Sequence, residues 1–223
     1  MHSARAADAK RSARLRQYPQ LAGAAIIDAI LFDFDGTLVD SEPLHFECWS
    51  EILTPFGIRL NWEEYARNCI GVSDRAMIRQ LAAEVGIDFE TLYAQYPRKK
   101  QLLHDRMVAA PPMPEAVRQV LKECLPLPIG LVTSSGRLEV EPVLETLGVR
   151  ELFSTAVFGE DVSRLKPDPE PYLLAARRMG VASPLVFEDS AAGLASARAA
   201  GFEAIEVVHP ESLPALLQQA LRR

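Results

Sequence analysis

Two carboxylates, Asp33 and Asp35, stand two positions apart where an apolar run ends. The run covers residues 30–32, is bounded by a turn signal and predicts a buried β-strand. Side chains two positions apart on a strand point to the same face, so the two acids begin side by side. Such a pair repels unless a cation or a shared proton lies between them, and a hard divalent ion suits oxygen ligands best. The pattern therefore predicts a Mg²⁺ site at the end of this strand.

Hydroxyl groups follow a second apolar run, residues 129–132. Thr133 and Ser134 come directly after it and precede a Ser-Gly turn. A hydroxyl and turn amides at a strand end can form an anion-binding nest for phosphate oxygens. Ser-Gly turns also cap helices, so this segment by itself leaves both interpretations open.

A lysine and a second pair of acids follow further along the chain. Lys166 precedes a proline-rich turn that can hold its ammonium group as a point charge for a phosphoryl group, although most lysines are simply solvated. Glu188 and Asp189 end another apolar run, and Ser190 after them could cap a helix. Capping does not explain two adjacent carboxylates. Acids, a lysine and hydroxyls at strand ends are the groups that phosphoryl transfer requires.

The elements that must position these residues follow from hydrophobic periodicity. Beyond residue 114, apolar runs of strand length alternate with helical patterns. This alternation predicts right-handed crossovers and a parallel sheet, the doubly wound α/β class, in which ligands bind at the carboxyl ends of the strands. The predicted helices cover residues 115–123, 137–147, 169–179, 191–200 and 213–221, and the strands that follow the first cover residues 129–132, 156–158, 185–187 and 204–208.

Residues 43–108 differ from this pattern because helical periodicity runs through them, punctuated by glycines and ended by a proline-rich stretch. We expect an all-helical insert that leaves and rejoins the α/β core through two adjacent linkers. The predicted domains are a basic extension at residues 1–25, a core formed by residues 26–42 and 109–223, and the helical insert at residues 43–108.

The basic extension carries five Lys or Arg side chains against one acid, Asp8, within its first 20 residues. Few large apolar residues accompany these charges. We predict a loosely ordered extension, with an arm for an acidic partner or an amphipathic targeting helix as alternatives.

The overall composition sets the remaining limits. The chain of 223 residues has a net charge of −6 at pH 7, which gives no indication of nucleic-acid binding, and no apolar run reaches the length of a membrane span. Its three cysteines contain no CxxC pair and favour a reducing cytoplasm, and its four histidines lack zinc-ligand spacing. We expect a cytoplasmic protein, a monomer or weak dimer, without a nucleic-acid or membrane partner.

The five residues 33–37, Asp-Phe-Asp-Gly-Thr, resemble the signature of the haloacid dehalogenase-like superfamily, the aspartate-nucleophile phosphotransferases. The resemblance extends from about residue 26 to the C-terminus and includes the later strand ends as the second, third and fourth motifs. It implies that Asp33 is the nucleophile and that Asp35 is the general acid and base, with a backbone carbonyl on the metal ion. It further implies that Asp189 is a metal ligand and that Glu188 binds the ion through water or orients its ligands.

The same resemblance assigns roles to the remaining motifs. Thr133 and the amide of Ser134 would bind phosphate, and Lys166, in a Lys-Pro-Asp-Pro segment, would neutralise it. The helical insert matches the superfamily's small cap, which closes over the site and selects the substrate. The substrate contacts expected in the cap are His45, Gly71, Ser73 and Arg75.

One departure from the family pattern bears on the reaction. Sugar-phosphate mutases of this family usually carry an arginine directly after a Gly-Val-Ser, to hold the substrate's second phosphate. Here Asp74 stands at that position and Arg75 is displaced by one. This weakens the mutase interpretation without excluding it. His45 does not discriminate, because it matches a histidine found in both mutases and related phosphatases.

We therefore predict a Mg²⁺-dependent phosphatase of small phosphorylated metabolites, sugar or polyol phosphates, which acts through an aspartyl-phosphate. A β-phosphoglucomutase-like phosphosugar isomerase is the alternative. A non-catalytic binding protein ranks third, since such a protein is expected to have lost a catalytic carboxylate. The dehalogenases and phosphonate hydrolases of the superfamily lack the second aspartate, Asp35, so neither chemistry is favoured.

Overall fold

The computed structural model describes residues 27–122 and 127–222. The predicted basic extension, residues 1–25, and Cys124 lie outside the described residues. The chain divides into two compact units. The described part of the core unit runs from residue 27 to Val39 and from Met113 onward, and the helical unit is Asp40–Pro112.

A five-stranded parallel sheet forms the centre of the core unit, in the order β3-β2-β1-β4-β5. The strands are β1 (Ala29–Phe32), β2 (Ile129–Val132), β3 (Phe153–Val157), β4 (Pro184–Glu188) and β5 (Glu203–Glu206). Every residue of β1, β2 and β4 is buried, which explains why these strands appear in the sequence as continuous apolar runs. The parallel α/β core predicted from the alternating pattern is confirmed.

Within residues 27–122 and 127–222, five α-helices form the helical unit and five more belong to the core unit. The first set is α1 (Glu42–Leu53), α2 (Trp62–Asn68), α3 (Asp74–Val85), α4 (Phe89–Tyr93) and α5 (Tyr96–Ala109). The second set is α6 (Glu115–Lys122), α7 (Arg137–Leu147), α8 (Glu170–Met179), α9 (Ala191–Ala199) and α10 (Leu213–Leu221). Among the described residues, no helix is long and apolar enough to cross a membrane.

The helical unit has a hydrophobic core of its own. Trp49, Ile52 and Leu53 on α1 are fully buried and belong to one apolar cluster with Ile78 of α3 and Leu92 of α4. The amide of Asp40 donates a 2.9 Å hydrogen bond to the carbonyl of Pro112, so the two ends of the unit meet. A separate core and adjacent ends are what an inserted domain requires.

The register of the sheet aligns the ends of β1, β2 and β4, which polar residues follow. Phe32 of β1 pairs with Leu131 of β2 on one side and with Phe187 of β4 on the other. The amide of Asp33 then donates to the carbonyl of Phe187. Because the strands are parallel, the side chains that follow β1, β2 and β4 emerge at one edge of the sheet.

Two local predictions differ from the structure. Strand β3 begins at Phe153 rather than at residue 156, because its exposed Ser154 interrupts the apolar run. Strand β5 ends at Glu206 rather than at residue 208; it is an edge strand whose ends are exposed, and Val208 is 87% exposed.

Candidate active site

Lys166 joins the ends of three strands. Its ammonium nitrogen lies 2.6 Å from an oxygen of Asp33, after β1, and 2.7 Å from an oxygen of Glu188, at the end of β4. It also donates to the carbonyl of Val132, at the end of β2, at 3.0 Å. The lysine side chain is only 5% exposed, so it is held in place rather than solvated. The structure therefore brings together the first, third and fourth polar segments.

The charges around Lys166 do not balance. Burial, and then repulsion from Glu188, raise the pKa of Asp33 well above its usual value, against the opposing effect of Lys166. Burial and the same neighbour raise the pKa of Asp189 to about 7. Burial opposes the charge of Lys166, but the pKa of this group is raised because Asp33 and Glu188 favour the ammonium form. One ammonium thus stands among three carboxylates, and a further cation would relieve the repulsion.

The same three carboxylates offer a set of metal ligands. One oxygen from each of Asp33, Glu188 and Asp189 lies within 4.8 Å of the others. Carboxylate oxygens are the donors that Mg²⁺ prefers, so the residues present fit such an ion.

Asp35 lies beside the end of β2. The hydroxyl of Ser135 donates to Asp35 at 2.9 Å, and the amide of Ser135 donates to the hydroxyl of Thr133 at 3.0 Å. Thr133 is buried, whereas Ser134 is exposed. The turn after β2 therefore brings the two predicted phosphate-binding residues close to the predicted acid and base. Sequence reasoning missed Ser135, although it lies in the same Ser-Gly turn as Ser134.

The sequence from residue 30 to 207 matches the model of the haloacid dehalogenase-like hydrolase family. The chain is also similar to curated proteins. It is 34% identical to the phosphorylated carbohydrates phosphatase of Thermotoga maritima, over 82% of this chain and 86% of the relative. It is 33% identical to the fructose-1-phosphate phosphatase of Escherichia coli, over 80% of this chain and 95% of the relative.

The chain belongs to the haloacid dehalogenase-like hydrolases. A solved structure of a Thermotoga maritima protein, provisionally named a β-phosphoglucomutase, is 28% identical and aligns with a TM-score of 0.66, over 86% of this chain and 99% of that chain. The predicted membership of the superfamily branch that holds β-phosphoglucomutases and sugar phosphatases is therefore confirmed. The predicted enzyme class, a phosphoric monoester hydrolase of this superfamily, is confirmed by the curated relatives.

Two glycines of this haloacid dehalogenase-like hydrolase make room for its acids. Gly36 has a φ of +73°, and a Cβ atom there would lie 2.1 Å from a carboxylate oxygen of Asp189. Gly193, in the first turn of α9, faces Glu188 so closely that a Cβ atom would lie 2.0 Å from its carboxylate. Side chains at these positions would displace the acids. The absence of a side chain at these two positions therefore allows the acids to occupy the site. The sequence did not predict these close contacts.

The four predicted cap residues of this hydrolase all lie in the helical unit. Ser73 is the N-cap of α3 and accepts from the amide of Ala76 at 3.3 Å. Gly71 has a left-handed φ of +78° in the turn before it. The guanidinium group of Arg75 stacks over the rings of Phe89 and Tyr93, at 5.2 and 5.0 Å. Their part in binding a substrate stays a prediction.

His45 belongs to a network inside the helical unit. Its Nδ1 atom lies 2.9 Å from the ammonium nitrogen of Lys99, which is 1% exposed and also contacts Asp74 at 3.1 Å. The indole nitrogen of Trp49 donates to the other oxygen of Asp74 at 2.8 Å. Sequence reasoning missed Lys99, because nothing in the composition of α5 separates a buried lysine from its solvated neighbours.

Proposed function

We propose that the chain is a Mg²⁺-dependent phosphatase of small phosphorylated sugars or polyols that acts through an aspartyl-phosphate on Asp33. The observation that carries this proposal is the buried Asp33 carboxylate, bound by Lys166 at 2.6 Å beside two further acids. The curated relatives named for carbohydrate phosphates and fructose 1-phosphate support the substrate class.

Mg²⁺ is the ion we assign to the acidic cluster. The carboxylates of Asp33 and Asp189 and the backbone carbonyl of Asp35 would hold it, with Glu188 as a ligand through water or as an orienting residue. When bound, the ion neutralises charge on the phosphoryl oxygens. This charge compensation lets an anionic nucleophile approach an anionic substrate.

The side chains of the core unit have different roles in the proposed reaction. Asp33 attacks phosphorus, and the P–O bond to the sugar breaks as the aspartyl-phosphate forms. Lys166 stabilises the charge on the transferring group, while Thr133 and the amide of Ser134 bind its oxygens. Asp35 protonates the leaving oxygen and then takes a proton from the water that hydrolyses the intermediate.

The helical unit is assigned the selection of substrate. His45, Gly71, Ser73 and Arg75 are the proposed contacts. A cap that excludes water during phosphoryl transfer would also favour the first half-reaction over side reactions.

A β-phosphoglucomutase-like isomerase is the alternative, and the packing of the helical unit disfavours it. A mutase must hold the phosphate that is not being transferred with a cationic group. Asp74, at the position where the mutases carry an arginine, accepts from Trp49 and pairs with Lys99, and Arg75 stacks on two aromatic rings. We therefore expect glucose 1-phosphate to yield inorganic phosphate, with ¹⁸O from labelled water, rather than glucose 6-phosphate.

A screen of phosphorylated sugars and polyols, with and without Mg²⁺, tests the proposal. We expect phosphate release from at least one of them with Mg²⁺ and none after chelation. Asp33→Asn should keep the fold and lower kcat by ~10³-fold or more, because the nucleophile is removed. A pure variant that retains a tenth of the wild-type turnover would contradict the role of Asp33. Efficient conversion of glucose 1-phosphate to glucose 6-phosphate would favour the mutase instead.

A further inference from the structure

Tyr172 is a buried residue beside the site to which no role has yet been assigned. It lies on α8, is 0% exposed, and its hydroxyl donates to an oxygen of Glu188 at 2.6 Å. The ammonium nitrogen of Lys166 stands 5.1 Å from the centre of its ring. Tyr172 therefore contacts both members of the Lys166–Glu188 ion pair.

The two oxygens of Glu188 are occupied by donors from the protein. Oε2 accepts from Lys166 at 2.7 Å and from Tyr172 at 2.6 Å. Oε1 accepts from the amide and the hydroxyl of Ser190, at 3.1 and 2.8 Å. A carboxylate offers about four lone-pair positions, so these four donors use its capacity. These donors compete with a direct bond from Glu188 to a metal ion.

Proximity alone would place Glu188 among the metal ligands, because its oxygen lies within 4.8 Å of those of Asp33 and Asp189. The hydrogen-bond donors around Glu188 indicate a different role for this carboxylate. Glu188 is 1% exposed and faces Lys166, Tyr172 and the start of α9, where Gly193 leaves space for it. Its negative charge is compensated by Lys166, although it also raises the pKa values of Asp33 and Asp189.

We propose that Tyr172 is a positioning residue that, with Ser190, commits Glu188 to Lys166 and keeps this carboxylate off the metal ion. The proposal rests on the function proposed above and goes beyond it by dividing the acids into two groups. Asp33 and Asp189 hold the ion, whereas Glu188 holds the lysine that stabilises charge on the transferring phosphoryl group. Without the tyrosine hydroxyl, Oε2 loses a donor and Lys166 loses part of its fixed position over Asp33.

Mg²⁺ titration by calorimetry, without substrate, tests this division directly. Glu188→Gln should lose clearly less Mg²⁺ affinity than Asp189→Asn, since a nearby charge but no direct ligand is removed. Asp189→Asn should lose about tenfold or more in affinity, which shows that the titration detects a ligand. A loss in Glu188→Gln as large as that in Asp189→Asn would overturn the proposal.

Tyr172→Phe tests the positioning role, because it removes only the hydroxyl. We expect kcat to fall about tenfold or more, with KM within about twofold and Mg²⁺ affinity unchanged or tighter, as a freed Glu188 oxygen can turn to the ion. Tyr65→Phe is the matched control: this tyrosine of the helical unit is also buried, and its hydroxyl lies 3.5 Å from Glu42. It should leave kcat on p-nitrophenyl phosphate unchanged.

The possible outcomes separate the proposals. Weaker Mg²⁺ binding by Tyr172→Phe, or an unchanged kcat, would overturn the role of Tyr172. If this variant melts at a much lower temperature, the Glu188→Gln titration still decides the role of Glu188. The titrations need no turnover, so a wild-type protein that binds Mg²⁺ but hydrolyses no phosphate ester would contradict the proposed function alone.

Discussion

At the scale of single residues, the site is defined by which donors each acid receives. Burial alone would raise the pKa of Glu188, but the charge of Lys166 and hydrogen bonds from Lys166, Tyr172 and Ser190 hold it below its usual value. The pKa values of Asp33 and Asp189 are raised, because burial and repulsion from Glu188 outweigh the effect of Lys166. The three carboxylates of the cluster thus have pKa values that are shifted in different directions.

Ser135 provides a residue-scale prediction for the proton-transfer step. Ser135→Ala removes the donor that lies 2.9 Å from Asp35, so the proposed acid loses one of the contacts that orient it. We expect kcat/KM for a sugar phosphate to fall about tenfold, the usual cost of a hydrogen bond to a charged group. The value for p-nitrophenyl phosphate should fall less, because nitrophenolate leaves without protonation. Equal losses on both substrates, measured by phosphate release, would show that Ser135 does not act through Asp35.

At the scale of elements, the start of α9 is adapted to the carboxylate beneath it. Gly193 lies in a helix, where alanine is normally preferred to glycine, yet a Cβ atom there would collide with Glu188. The Ser190 hydroxyl caps the same helix by accepting from the amide of Gly193 at 3.0 Å. The start of α9 therefore cannot change at Gly193 without displacing the carboxylate of Glu188.

Gly193→Ala should lower both stability and turnover, since Glu188 must move away from Lys166 to admit the methyl group. We expect a loss of roughly 1–3 kcal/mol in the free energy of unfolding, as for other overpacked sites, with a lower kcat. Chemical denaturation and steady-state kinetics measure the two effects. Ala192→Ser, at an exposed position of the same helix, is the control and should change the free energy of unfolding by less than about 0.5 kcal/mol. A Gly193→Ala variant with wild-type turnover would mean that Glu188 tolerates displacement.

The first turn of α3 yields a second element-scale prediction, for Arg75 in the helical unit. Arg75→Ala should change KM or preference among sugar phosphates by several fold, while hydrolysis of p-nitrophenyl phosphate suffers less. Arg79→Ala is the matched control, because its guanidinium group also stacks on Phe89, at 4.8 Å, without a predicted substrate contact. If both variants lose activity equally on every substrate, stacking rather than substrate binding explains Arg75.

At the scale of the whole molecule, the acidic cluster connects stability with pH. In the metal-free protein, Asp189 has a raised pKa of about 7, so the folded state binds a proton more tightly than the unfolded state does. Stability then falls as the pH rises from the usual aspartate range towards 7. The cluster of acids thus favours the binding of a cation, but it lowers the stability of the metal-free protein.

Asp189→Asn isolates this contribution. In chelator, the variant should melt at a higher temperature than the wild type at pH 8, where Asp189 is ionised, and the difference should shrink at pH 5, where the wild-type carboxyl is protonated. Thermal melts between pH 5 and 8 measure it. Saturating Mg²⁺ should stabilise the wild type at pH 8 and the variant much less. A melting difference that does not change with pH would contradict the assignment.

Local sequence patterns were enough to predict the sheet and the ends of its central strands. Continuous apolar runs predicted β1, β2 and β4 because both faces of these strands are buried, and each polar group that follows them lies where the strand stops. Helices α7 and α8 end at the predicted residues 147 and 179, and each is followed by a glycine in the left-handed conformation. The exposed ends of β5 and the polar residues inside β3 gave no such signal, which is why their bounds were missed.

Which side chains contact one another depends on how the elements pack. Tyr172 and Glu188 are 16 positions apart and Lys99 and His45 are 54 apart, and no local pattern relates them. Lysine and tyrosine are usually solvated or partly exposed, so their complete burial here follows from partners supplied by other elements. Local sequence sets the backbone because its periodicity is local. The donors around a buried carboxylate are set by the packing of the fold, since burial leaves the charge only the partners that the fold brings to it.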